Sequence, residues 1–200
     1  MNMEKFKQLN LSEELLDAIR REGFESPSEV QEKTIPLVLA GKDVIGSSET
    51  GSGKTLAFGA GIIDRTSPGA GIQALILTPT RELAEQVGQT IAKFSHKKGL
   101  RVAQVYGGVS MGPQINSLRH VDIVVGTPGR LLDHLKRRTL NLSRIKFLVL
   151  DEADRMLDMG FIRDVESIIK SCPTNRQTLL FSATLSQDIE YMAKKYMRNP

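Results

Sequence analysis

The chain has 200 residues, room for one domain or two small ones, and at that length roughly 70% of the unfolded surface can be buried without disulfide or metal staples. Hydrophobic residues make up 40% of it and charged residues 25%, as in ordinary soluble globular proteins; the one cysteine, Cys172, excludes an internal disulfide and points to a reducing compartment, the cytoplasm. No apolar run approaches the roughly 20 residues of a bilayer span, the start MNMEKFKQLN lacks the apolar core of a signal peptide, and a net charge of +4 leans mildly toward polyanionic partners.

In chain order, residues 12–22 predict a helix with Ser12 as its N-cap and Gly23 at its end, and residues 28–39 a second one that follows Pro27 and contains Pro36. DVIG (43–46) reads as a strand, 53–65 as a helix and TSPGAG (66–71) as a loop, by its Pro and Gly. Strands ALILT (74–78), RVAQVY (101–106), DIVVG (122–126), FLVLD (147–151) and TLLFS (178–182) follow, with helices over 80–98, 128–138, 160–171 and 186–197. Most of these strands are too apolar for half-exposed positions and read as buried parallel ones. Strand alternating with helix predicts an α/β fold, a mostly parallel twisted sheet with helices on both faces. The clusters HKK (96–98) and KRR (136–138) fall at predicted helix C-termini, where the helix dipole favours solvated cations.

Two stretches carry chemistry. SETGSGKT (48–55) lies between the strand DVIG and a helix, the order a phosphate cradle requires, although Ser48 stands where the pattern G-x-x-x-x-G-K-S/T has glycine. Gly51 and Gly53 can take backbone angles closed to other residues and let the main chain approach an anion. Ser48, Glu49, Thr50, Gly51, Ser52 and Gly53 would wrap the phosphates of a nucleotide, Lys54 would reach the β- and γ-phosphates, and Thr55 would offer its hydroxyl to Mg²⁺. The alternative is a flexible Gly/Ser turn. The second stretch, FLVLDEAD (147–154), is an apolar strand ending in carboxylates; Asp151 is placed to hold Mg²⁺ and Glu152 to orient or deprotonate an attacking water. Alone it could be a solvated loop, but the two stretches together, in this order, point to nucleotide hydrolysis.

With Asp151-Glu152-Ala153-Asp154 spelled out, the chain resembles the DEAD-box family of ATP-dependent RNA helicases over essentially its whole length. The resemblance implies a RecA-like P-loop NTPase domain spanning 1–200, with an N-terminal Q-motif segment over about 1–40. The family commonly has Ala at the place of Ser48, so that departure is mild. GFESPSEVQ (23–31) resembles the Q motif, which implies that Gln31 reads the adenine edge through its amide and that Phe6 stacks on the base.

PTRELA (79–84), GG (107–108) and TPGR (127–130) end predicted parallel strands, where open α/β sheets bind ligands. By the resemblance, Pro79, Thr80, Arg81, Glu82, Gly107, Gly108, Thr127, Pro128, Gly129 and Arg130 grip the RNA sugar-phosphate backbone, with little sequence preference. By physics alone, Thr127 caps a helix whose first turn holds Pro128. In SAT (182–184), Ser182 and Thr184 would link the ATP and RNA sites through Asp154, or serve as helix caps.

The family's second RecA-like domain, with its transition-state arginines, has no match here. An arginine finger contributes roughly 10³–10⁵ in rate, so the chain alone is expected to bind ATP weakly, hydrolyse it very slowly and not unwind duplexes. A non-catalytic RNA-binding module and a DNA helicase or translocase are the competing readings; dependence on a 2′-hydroxyl separates the latter.

Overall fold

The computed structural model describes residues 3–47, 49 and 53–200, and among these six short strands form one sheet. The order of elements is α1 (Glu4–Lys7), α2 (Glu13–Arg21), α3 (Glu29–Leu39), β1 (Val44–Ser47), α4 (Lys54–Arg65), β2 (Ala74–Leu77), α5 (Arg81–Ser95), β3 (Val102–Val105), α6 (Met111–Ser117), β4 (Ile123–Gly126), α7 (Pro128–Lys136), β5 (Phe147–Leu150), α8 (Ala153–Asp158), α9 (Ile162–Lys170), β6 (Gln177–Ser182) and α10 (Gln187–Tyr196). The strands run β1-β6-β5-β2-β4-β3, every neighbouring pair parallel. The expected α/β architecture is thus present, and the sheet is parallel throughout.

Side-chain alternation divides the core in two. On one face Ala74, Ile76, Phe147, Val149, Leu179 and Phe181 pack under α2 to α5. On the other, Leu75, Leu77, Leu148, Leu150 and Leu180 pack under α7 to α10. Each fully buried Leu, Ile or Phe contributes about 2 kcal/mol of transfer free energy. Strands β2, β4, β5 and β6 are buried at every residue because both faces are covered, whereas the edge strands β1 and β3 are exposed in part. Close strand spacing needs Gly126: a Cβ there would lie 2.5 Å from the Val105 carbonyl oxygen.

Three helices were not expected from the sequence. α1 has four residues, α8 six, and α6 begins Met-Gly-Pro, a composition that reads as loop. Ser12 is the N-cap of α2, its Oγ accepting from Leu15 N–H at 3.3 Å and donating to Asp64 at 2.5 Å, so the cap also fastens α2 to α4. The HKK cluster is less solvated than expected. Lys97 pairs with Asp17, and Lys98 donates to the Ile63 carbonyl at 2.7 Å, the open C-terminal end of α4 rather than of its own helix. No helix among the described residues is long and apolar enough to cross a membrane.

The expectation for Phe6 is corrected. Its ring is 0% exposed, inside the core beneath α2, and meets Phe24 edge-on at 6.5 Å between centroids. Burial leaves no open face on which a base could stack.

Candidate active site and nucleic-acid interface

In a parallel sheet, ligands gather beyond the carboxyl ends of the strands. β1 ends at Ser47 and β5 at Leu150, with only β6 between them. Adjacent strands lie about 4.8 Å apart, so the two chain segments leave the sheet roughly 10 Å from one another. Lys54, the first residue of α4, spans that gap: its Nζ lies 3.1 Å from Asp151 Oδ1 and 3.9 Å from Glu152 Oε1. Residues far apart in sequence are therefore brought into one site. Ser48, Thr50, Gly51 and Ser52 lie outside the described residues; Glu49 is exposed, and Thr55 is partly exposed one residue beyond Lys54.

Asp151 is 0% exposed and Lys54 9% exposed. At 3.1 Å the ammonium forms an ion pair with Oδ1 but is not aligned for a hydrogen bond, and both Asp151 carboxylate oxygens are buried without a hydrogen-bond partner. Burial pushes the Asp151 carboxyl above the usual carboxylate range, and the Lys54 charge acts against that shift. A buried carboxylate whose two oxygens receive no hydrogen bond is a donor that suits a hard divalent cation. Glu152 has φ 49° and ψ 51°, a left-handed conformation uncommon outside glycine, and its carboxylate receives Arg155 Nη1 at 3.4 Å.

Gln31 is 1% exposed, and its amide is engaged within the protein. Oε1 accepts from Ser28 N–H at 3.0 Å and Nε2 donates to the Gly53 carbonyl at 3.1 Å. Gln31, expected to read the adenine edge, here braces the end of the loop. A buried amide must find partners, and these are the ones at hand. Gly53, at φ 83°, leaves room for this contact. Sequence reasoning missed Ser28, the N-cap of α3, whose Oγ is buried and directed toward Gly53. The only signal was its place inside GFESPSEVQ.

The other motif loops lie at the carboxyl ends of β2, β3 and β4. Pro79 is buried; Thr80 Oγ1 accepts from Leu83 N–H at 3.2 Å and caps α5. Arg81 stacks over Tyr106, 4.8 Å from the ring centroid, and pairs with Glu85 at 3.2 Å, while Glu82 is exposed. Hydrogen bonds from Tyr106 and Arg81 hold Glu85 below the usual carboxylate range. Gly107 and Gly108 are exposed, the latter with φ 80°.

Thr127 stands at the N-cap of α7 with Pro128 in the first turn, but its side chain makes no capping bond, contrary to expectation. The first helical hydrogen bond is that of Leu131 to Thr127, so the amides of Gly129 and Arg130 precede it. Arg130 donates to the Val109 carbonyl at 3.0 and 3.1 Å and to Gln114 Oε1 at 3.2 Å. Gln114 is shared with the buried His134, whose Nε2 lies 3.0 Å from Oε1. Thr184 Oγ1 donates to Asp154 Oδ2 at 3.1 Å, and Ser182 Oγ to the Thr184 carbonyl at 2.7 Å. Ser186, not Ser182 or Thr184, caps α10.

Together, the all-parallel sheet and the lysine and acidic pair at its carboxyl edge define the class: a RecA-like α/β domain. The DEAD/DEAH box helicase family model matches residues 28–192, most of the chain, and the chain belongs to that family. It is 50% identical over 193 residues to a probable ATP-dependent RNA helicase of Methanocaldococcus jannaschii, covering 96% of this chain and 53% of that one. It is 52% identical over 198 residues to the ATP-dependent RNA helicase CshA of Limosilactobacillus reuteri, covering 98% of this chain and 40% of that one. The crystal structure of a DEAD box protein from the hyperthermophile Methanococcus jannaschii superposes with a TM-score of 0.95 at 49% identity, covering 98% of this chain and 54% of that one. The chain thus spans about half the length of these relatives.

Proposed function

We propose that residues 1–200 form one RecA-like domain, the ATP- and RNA-binding half of an ATP-dependent RNA helicase, working with a second RecA-like domain in the longer protein. The observation that carries this reading is the 3.1 Å approach of Lys54 to Asp151 across β6. With ATP bound, Lys54 leaves the carboxylate for the β- and γ-phosphates, and the loop amides together with Ser28 Oγ surround the phosphate chain. Asp151 and Thr55 would hold Mg²⁺, which would neutralise charge on the phosphates. Glu152 orients the attacking water and accepts its proton, and Arg155 steadies Glu152.

On the neighbouring loops, the amides of Gly129 and Arg130 and the surfaces of Thr80, Arg81 and Gly108 meet the RNA backbone. The Thr184–Asp154 hydrogen bond joins the two sites, so closure around RNA is felt at the nucleotide. Bonding to backbone and 2′-hydroxyl groups favours RNA over DNA. The buried thiol of Cys172, pushed up to about 11 by burial, suits a reducing cytoplasm.

A titration with a fluorescent ATP analogue tests the reading. In Mg²⁺ the Asp151→Asn variant should bind at least about tenfold more weakly than wild type, and in EDTA the two should match, since the lost group acts through the cation. Equal affinity in Mg²⁺ would remove Asp151 from the role assigned to it.

A further inference from the structure

The amino ends of the strands, the edge opposite the motif loops, carry a feature that nucleotide chemistry does not use. A cleft of about 460 Å³ lies beside the loop 66–71 and the starts of β3 and β4, lined in part by Arg101, Arg119 and His120. A second cleft of about 320 Å³ shares Gly71, Arg119 and Val121 with the first and adds Arg138 and Arg144. The two make one continuous groove with four exposed arginines.

None of these arginines pairs with a described carboxylate; among the described residues the arginine ion pairs are at Arg20, Arg21, Arg81, Arg137 and Arg155. Arg144 donates only to the Ala70 carbonyl, at 3.2 Å. Asp122 lies on the groove floor, but its two oxygens accept from the Gly69 and Arg101 amides, both at 2.9 Å, and so tie the loop to β3. Four uncompensated guanidinium groups along a concave wall focus a positive potential, and each presents the planar fork that fits a phosphodiester.

We propose that this groove is a second RNA-docking surface, holding the phosphodiester backbone of a segment that flanks the one on the motif loops. The proposal rests on the reading of the chain as an RNA-binding domain. The two surfaces are separated by the length of the strands, roughly 13 Å for four residues. A strand gripped at the motif loops reaches the groove by passing the edge strand β3, where Arg101 stands. Only RNA longer than the motif-loop footprint engages both.

The test uses the double variant Arg119→Gln/Arg138→Gln. Both side chains are exposed and neither belongs to the nucleotide or motif-loop machinery, so an unchanged urea midpoint will verify folding. Fluorescence anisotropy is read with labelled oligouridines of about 5 and about 30 nucleotides. For the long strand we expect binding about tenfold weaker at low salt, and a log K against log salt slope shallower by about 0.7 for each phosphate that the variant no longer neutralises. The short strand should bind both proteins alike. Equal weakening at both lengths, or none at either, overturns the proposal. So does unchanged RNA binding with loss of polyglutamate binding, which would make the groove a site for acidic protein. If the short strand fails to bind even wild type while the long one binds and is weakened by the variant, the groove stands and the motif-loop reading falls.

Discussion

Replacing Lys54 by Met keeps the length of the side chain and removes its charge. The ammonium lies 3.1 Å from Asp151 Oδ1, with the Lys54 side chain 10% exposed and that of Asp151 0%. Removing one partner of so buried a pair leaves the other charge uncompensated, at a cost of about 3–5 kcal/mol. The cost falls on Asp151, whose oxygens receive no hydrogen bond in its place. Lys54→Met should therefore lower the melting temperature by roughly 6–20 °C for a chain of this size. Adding Asp151→Asn removes the stranded charge, and the double variant should regain most of the loss, a coupling of about 2–3 kcal/mol. Urea denaturation of wild type, both single variants and the double variant, followed by far-ultraviolet circular dichroism, closes the cycle. A Lys54→Met protein within about 0.5 kcal/mol of wild type, the range of an ordinary surface change, would refute this account of the pair.

Three further outcomes follow from other parts of the fold. Gly53→Ala places a Cβ 2.5 Å from Gln31 Nε2 at φ 83°, so it should break the brace and cost about 2–4 kcal/mol of strain and lost hydrogen bonding, read as a shift in urea midpoint; in a Gln31→Ala background its cost should shrink. His134 is held below its ordinary 6.5 by burial, with Arg130, Asp133 and Arg137 as its charged neighbours and Gln114 and Thr139 as its hydrogen-bond partners. Because the unfolded chain takes up that proton first, the stability from neutral His134 is complete above the unfolded value and is lost as pH falls through the lower folded value. His134→Gln should flatten the loss of melting temperature between about pH 7 and pH 5, and parallel wild-type and variant curves would count against it. The Cys172 thiol is 6% exposed and pushed up to about 11, so in native protein a thiol reagent near pH 8 should react only as fast as the chain opens. Labelling at the rate of the urea-unfolded chain would contradict the packing under α9 and α10.

The strands, the longer helices and the candidate site residues at their ends could be read from the residues alone. The runs FLVL (147–150) and ALIL (74–77) are apolar at every position because helices cover both faces, so their place inside a parallel sheet was legible without coordinates. Lys54, Thr55, Asp151 and Glu152 were legible because each stands at a strand or helix end within a short pattern. The tertiary structure alone decided the strand order that sets β6 between β1 and β5 and brings Lys54 to Asp151. It alone buried Phe6, turned Gln31 to Gly53, and gathered Arg101, Arg119, Arg138 and Arg144 along one edge. The physical reason is common to all of these. Periodicity records how deeply a segment is buried and on which face, but two segments distant in the chain share no local pattern, and which of them become neighbours is settled only when the whole core packs.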